Sequence, residues 1–211
     1  NILKKFTPHK DAYFLDLGCG TGRHAIHLNQ EGFKVDGFDL SKKSLEIANK
    51  HSNDKLQFHH KDMRFFDVKN KYDFILNLFT SFGYFEGEHE NEKILKNIER
   101  SLKINGIFIL DFLNAKKTIQ ELQEFEEKNI SNINFKIHKT YDNHFIYKKI
   151  SITDKKQTFR FTEKVQLLNK EHFIKYLKNL NMNLLYTFGD YNLNNFNPLL
   201  SERLLLVFQK Y

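Results

Sequence analysis

Phe14-Leu15-Asp16-Leu17-Gly18-Cys19-Gly20-Thr21-Gly22-Arg23-His24 places three alternate glycines between an apolar, strand-like run and a segment with helical spacing. Glycines at a strand-to-helix turn permit a tight reversal and let a ligand approach the backbone with no Cβ in the way. A glycine-rich turn alone is common to phosphate loops and dinucleotide sites. Here the spacing is G-x-G-x-G rather than the dinucleotide G-x-G-x-x-G, and Asp16 stands where a carboxylate meets a cationic amino group better than a pyrophosphate.

Outward from this turn, strand-like runs at 13–17, 34–38, 56–59, 72–78 and 106–112 alternate with helical patterns at 23–31, 42–51 and 90–102. Consecutive βα units of this kind predict a parallel sheet with right-handed crossovers. The second strand ends in Val35-Asp36-Gly37-Phe38-Asp39-Leu40-Ser41, so Asp39 stands at a carboxyl end, where it can accept from both ribose hydroxyls, and Ser41 can cap the next helix. After the third strand, Asp62 can accept from an adenine amino group and Met63 can pack on the ring. Asn77 and Phe79, at the end of the fourth, are expected to line the crevice between cofactor and substrate. An amino acid end, a ribose and an adenine without phosphate describe S-adenosyl-L-methionine.

These residues together resemble the class I, Rossmann-like S-adenosylmethionine-dependent methyltransferases. The resemblance implies an α/β fold with a seven-stranded, mostly parallel sheet flanked by helices. Within that group the chain is similar to small bacterial enzymes bearing a β-meander after the fifth strand, on the runs Asn77-Leu78-Phe79-Thr80-Ser81-Phe82-Gly83-Tyr84-Phe85 and Phe188-Gly189-Asp190-Tyr191. The first run is also similar to that of aminosugar N,N-dimethyltransferases. By that resemblance Asp16, Gly18, Gly20 and Arg23 take the methionine end, Asp39 and Leu40 the ribose, and Asp62 and Met63 the adenine.

Beyond residue 114 the βα alternation stops. A helical stretch at 118–125 gives way to alternating patterns at 133–138, 145–152 and 157–167, which predict an antiparallel meander; a helix at 170–180 and strands at 183–188 and 203–209 follow. One methyltransferase domain over 1–211 is expected, with residues 133–167 as an insertion covering the substrate side.

Other chemistries find less support. The fourth strand ends Asn77-Leu78-Phe79-Thr80, without the proline of the N-P-P-Y tetrapeptide of amino-DNA methyltransferases, and the single cysteine, Cys19, lies inside the glycine turn rather than facing a base. No metal is expected, because the ten histidines lack ligand spacing and adjacent His59 and His60 point to opposite faces of a strand. A net charge of +7 comes mostly from lysines scattered among acids, so nucleic acid is not the expected partner, and with no run of about 18 apolar residues no membrane span is expected. The chain reads as cytoplasmic.

The expected activity is methyl transfer to a small-molecule acceptor, at nitrogen or oxygen. Alignment suffices for such a transfer, so a base is not required. Tyr84 is the candidate for orienting the acceptor, ahead of His138, Tyr141 and Tyr147. An RNA or protein methyltransferase and a catalytically silent cofactor-binding domain remain open alternatives. Only residues 1–12 precede the first strand, and Ile2, Leu3 and Phe6 form one short apolar face, so an open cleft and weak cofactor binding are expected.

Overall fold

The structure, a computed structural model, describes residues 2–131, 133–154 and 157–211. Asn1 of the N-terminal segment and residues 155–156 of the meander lie outside the described residues. Strands β1 (Tyr13–Leu17), β2 (Lys34–Asp39), β3 (Leu56–His60), β4 (Tyr72–Asn77) and β5 (Leu102–Leu113) alternate with helices α1 (Arg23–Gln30), α2 (Lys42–Ala48) and α3 (Glu88–Ser101). Then come α4 (Ala115–Gln120), β6 (Phe125–Ile130), β7 (Ile133–Tyr141), β8 (Phe145–Asp154), β9 (Gln157–Gln166), α5 (Lys170–Leu177), β10 (Met182–Phe188) and β11 (Arg203–Lys210).

The main sheet has seven strands in the order β10-β11-β5-β4-β1-β2-β3, with β11 antiparallel to both its neighbours and the rest parallel. It is the Rossmann-like sheet that the βα alternation predicts. Both faces are covered, which the run of buried residues in β1 and β11 reflects. On one face Leu15, Leu17 and Ile75 pack with Ile94, Leu95 and Ile98 of α3 and Phe173 of α5. On the other, Phe14, Val35 and Phe74 pack with Ala25 and Leu28 of α1 and Leu45 of α2. Strand order reverses between β1 and β4, so their carboxyl ends diverge into a crevice.

The second sheet is antiparallel, in the order β6-β7-β8-β9. Three of its strands match the alternating patterns, and the fourth corrects the sequence reading. The expected helix at 118–125 ends at Gln120, and Phe125 begins β6. The sequence of β6, Phe-Glu-Glu-Lys-Asn-Ile, lacks strand alternation, and its extended form comes from pairing along β7 from Phe125 opposite His138 to Ile130 opposite Ile133. Likewise β5 begins at Leu102, four residues before the apolar run at Gly106, because Leu102 pairs with Tyr72. Among the described residues no helix is long and apolar enough to cross a membrane.

Candidate functional site

The glycine turn is shaped by what surrounds it. Gly18 and Gly20 have φ of +80° and +55°, the left-handed region that favours glycine. A Cβ on Gly18 would stand 2.7 Å from the Ser81 Cβ, whereas one on Gly20 would meet nothing within 4 Å. The first glycine thus lets two loops touch, and the second leaves open space beside the backbone.

Asp39 ties this turn to β2. Its Oδ2 accepts from the Gly20 N–H at 2.7 Å and its Oδ1 from the Ser41 N–H at 2.7 Å. Ser41 in turn caps α2, its Oγ accepting from the Ser44 N–H at 3.2 Å. Cys19 is buried in the turn, and burial pushes its thiol pKa up, as suits a packing residue rather than a nucleophile.

Beneath the turn lies Asp16, 2% exposed, with Oδ2 lacking a hydrogen-bond partner among the described residues. Burial pushes its carboxyl up to about 7, reinforced by the charge of Asp39 and opposed by the Ala25 N–H. A buried carboxylate with a free oxygen fits a missing cationic partner, such as the ammonium of a bound amino acid. Asn77 is also fully buried: its Nδ2 donates to the Leu17 carbonyl at 2.7 Å, and its Oδ1 is without a partner.

A cavity of about 340 Å³ opens above the turn, and among its lining residues are Gly18, Asp39, Leu40, Met63, Phe79 and Tyr84. Leu17, Phe38, Lys61, Thr80, Ser81 and Phe85 complete its wall. Asp16 and Asn77 are buried, and neither they nor Gly20, Arg23 and Asp62 are on its wall. The Asp62 carboxylate is held by Arg64, whose Nη2 approaches at 2.7 Å while its Nη1 reaches Glu90 at 2.6 Å. That guanidinium holds the Asp62 carboxyl below the usual carboxylate range. Arg23 stacks over the Phe79 ring at 4.9 Å, and His24 lies against the same ring at 5.2 Å.

Phe79 and Thr80 follow β4 with φ of +55° and +60°, two consecutive non-glycine residues in the left-handed region. Such geometry persists only where the surroundings hold it. The fully buried Asp111 of β5 does so: its Oδ2 accepts from the Phe79 N–H at 2.9 Å and from the Tyr191 hydroxyl at 3.0 Å, and its carbonyl from the Thr80 N–H at 2.9 Å. Arg203 completes the network, its Nε donating to Asp111 Oδ1 at 2.7 Å and its Nη2 to Thr80 Oγ1 at 2.9 Å. Sequence reading missed Asp111, Arg203 and Thr80, which are remote in the chain from one another. The positions of Thr80 and Tyr191, within the two runs singled out for their resemblance, were the hints of the network.

On the far side of Phe79, Thr80 and Tyr84 lies a second cavity of about 460 Å³, walled by Thr118 and Glu121 near α4 and by Lys139, Lys148 and Glu163 of the meander. The two cavities share the three residues Phe79, Thr80 and Tyr84. Tyr84 is about half exposed, with its phenol pKa raised first by burial and then by the charge of Glu163. Of the weaker aromatic candidates, Tyr147 donates to Asp142 at 2.8 Å, His138 stacks on Phe125, and neither lines this cavity; nor does Tyr141. A larger groove of about 640 Å³ crosses the four-stranded sheet near Ile137 and Ile150, well away from the glycine turn. No cluster of three metal-ligating side chains occurs among the described residues.

Comparison with known proteins agrees with this geometry. Residues 14–106 match the family described as methyltransferase domain. Over 110 residues the chain is 30% identical to a dTDP-3-amino-3,6-dideoxy-alpha-D-glucopyranose N,N-dimethyltransferase of Streptomyces fradiae, a match covering 52% of this chain and 42% of that protein. The chain spans 39–50% of the length of the curated relatives it matches. Among solved structures, an S-adenosylmethionine-dependent methyltransferase from Clostridium acetobutylicum superposes with a TM-score of 0.87 at 21% identity, covering 99% of this chain and 89% of that one. The SAM-bound amino pentose methyltransferase CalS10 from Micromonospora echinaspora superposes with a TM-score of 0.73 at 18% identity, covering 95% and 84%.

Proposed function

We propose that this chain, which carries a methyltransferase domain of the Rossmann-like class, binds S-adenosyl-L-methionine and transfers its methyl group to a small-molecule acceptor. The observation that supports this reading most directly is the wall of Phe79, Thr80 and Tyr84, with the glycine-turn cavity on one side and the meander-facing cavity on the other. Direct transfer of a methyl group needs two adjoining pockets that open to each other, so that the acceptor atom meets the methyl carbon in line.

The residues in and around the first cavity suit the cofactor in order. Asp16, buried with an unpartnered oxygen, would hold the methionine ammonium, and the open backbone at Gly20 admits the amino acid end. Asp39 keeps acceptor capacity beyond its two backbone bonds, because a carboxylate offers about four lone-pair sites, and with Leu40 would hold the ribose. Met63 and Asp62 would take the adenine, with Arg64 fixing the Asp62 carboxylate in place. When bound, the sulfonium supplies an electrophilic methyl carbon.

The chain's own part in the reaction is alignment and exclusion of water. The Asp111 network holds the Phe79 backbone where the two cavities adjoin, and Tyr84 would orient the acceptor atom toward the methyl carbon. Charged Glu121, Glu163, Lys139 and Lys148 give the acceptor cavity a polar lining, which suits a hydrophilic metabolite. The similarity of about half of the chain to aminosugar N,N-dimethyltransferases makes an amine the first acceptor class to try. The test is calorimetric titration with S-adenosyl-L-methionine and its demethylated product, followed by a methyl-release assay against an amine and metabolite library. Binding with turnover of a small amine supports the reading. Binding with turnover only of bulk RNA or protein, or no binding at all, overturns it.

A further inference from the structure

Arg64, two residues beyond Asp62, is not on the wall of the glycine-turn cavity, yet its guanidinium joins the Asp62 carboxylate to the loop that carries Tyr84. Toward Asp62 it presents a fork: Nε stands 3.1 Å from each carboxylate oxygen and Nη2 2.7 Å from Oδ2, while the Arg64 backbone N–H donates to Oδ1 at 2.8 Å. On its other side Nη1 donates to Glu90 Oε1 at 2.6 Å, and the guanidinium carbon stands 4.2 Å from the centre of the Phe85 ring. Glu90 divides its carboxylate between the two partners. Its Oε2 accepts from the Glu86 and Gly87 N–H groups at 3.2 and 3.3 Å, which closes the loop just after Tyr84 and Phe85. The same loop is tied to β9, where the Gln166 N–H donates to the Gly83 carbonyl at 2.8 Å and Lys164 Nζ to Glu86 at 2.6 Å.

This arrangement does more than an ion pair at the surface can. The Asp62 and Arg64 side chains are only 17% and 26% exposed, so solvent and salt screen them less. A planar fork on a carboxylate fixes direction as well as distance. Asp62 also keeps room for a ligand. The backbone N–H, Nε and Nη2 of Arg64 occupy about three of the roughly four lone-pair sites of the carboxylate, which leaves one for an incoming amino group.

We propose that Arg64 is a positioning residue that sets the Tyr84 loop according to whether the adenine end of the cofactor site is filled. The inference rests on the cofactor reading above. A ligand that donates to Asp62 restricts the carboxylate, the carboxylate restricts the fork, and the fork restricts the Phe85 ring and, through Glu90, the amides of Glu86 and Gly87. Tyr84 sits between Gly83, anchored on β9, and Phe85, anchored on Arg64, and it lines both cavities. Filling the adenine end therefore holds the Tyr84 backbone on both sides before an acceptor enters. A lysine at this position cannot do the same, because a point charge lacks the fork that reaches two carboxylates at once.

The test is hydrogen–deuterium exchange of the whole chain, read by mass spectrometry with and without saturating S-adenosylhomocysteine, beside calorimetry with the same probe. In the wild type the probe should slow exchange in residues 82–87 by at least about threefold. Arg64→Gln and Arg64→Lys should bind it up to about tenfold more weakly and, once saturated, should show no slowing in 82–87. The glycine turn at 18–22 should be slowed in these variants as in the wild type, which reports a folded and occupied site. Glu90→Gln keeps the cap on the loop and loses the ion pair, so it should reduce the slowing in 82–87 while leaving affinity within about twofold. Slowing in 82–87 that is equal in the wild type and all three variants, or absent from a wild type that binds the probe, overturns the proposal. A wild type that does not bind the probe overturns the cofactor reading and this proposal with it.

Discussion

Replacing Asp16 with asparagine should make the ligand-free protein more stable and the cofactor bind more weakly, a pairing that follows from the unusual state of this carboxyl. Burial lifts its pKa from the ordinary 3.8 to about 7. The free-energy equivalent of that difference is about 4 kcal/mol, since each pH unit is worth roughly 1.4 kcal/mol. The sign is that of an acid whose folded pKa is raised: the folded state holds the proton that the unfolded state releases. The group therefore costs nothing below about pH 4, its penalty grows between about pH 4 and 7, and it levels off above about pH 7. Asp16→Asn removes the titration while keeping the volume, so ligand-free stability above pH 7 should rise by up to about 4 kcal/mol, less about 1 kcal/mol for a weakened bond from the Ala25 N–H. Urea unfolding of both proteins at several pH values measures this, and the variant's advantage should vanish toward pH 4. An incoming ammonium should restore the ionised form. Binding to the wild type at pH 6 should then release about 0.9 of a proton, read by calorimetry in two buffers of different ionisation heat, and Asp16→Asn should release none. Equal stability of the two proteins at pH 8, together with equal proton release at pH 6, would refute the reasoning.

Four further outcomes follow from the same site. Asp111→Ala leaves the Arg203 guanidinium without its buried partner and frees the backbone at Phe79 and Thr80, so urea unfolding should show a loss of about 3–5 kcal/mol; Tyr191→Phe, which removes one bond to the same oxygen, should lose about 1 kcal/mol. Asp39→Ala should weaken cofactor binding by about tenfold to a hundredfold, the worth of hydrogen bonds to a charged group, and unchanged affinity in a titration would remove Asp39 from the ribose site. Tyr84→Phe keeps the wall and deletes the phenol, so acceptor KM should rise roughly tenfold or less with cofactor affinity unchanged; identical acceptor kinetics would leave Tyr84 as a wall alone.

What the sequence alone determined is local. The glycine turn, the acid ending β2, the Ser41 cap and the βα alternation are each written within about a dozen neighbouring residues, because strand period, helix period and left-handed backbone are properties of short segments. From those the main sheet and its crevice could be read. The tertiary structure alone decided the rest. Strand β6 has no alternation of its own and is extended because β7 lies beside it. Asp111, Arg203 and Tyr191 converge from positions 80 and 92 residues apart to fix Phe79, and nothing local marks Asp111 or Arg203. The Asp62 carboxylate was legible as an acid after β3, but not the bond from its partner Arg64 to Glu90, which requires α3 to pack beside it. Asp16 was legible as an acid near the turn, whereas its raised pKa exists only because the sheet and α1 together exclude water from it. Pairwise contacts between distant segments depend on how whole elements pack, and a one-dimensional pattern carries the period of an element but not the identity of its neighbour.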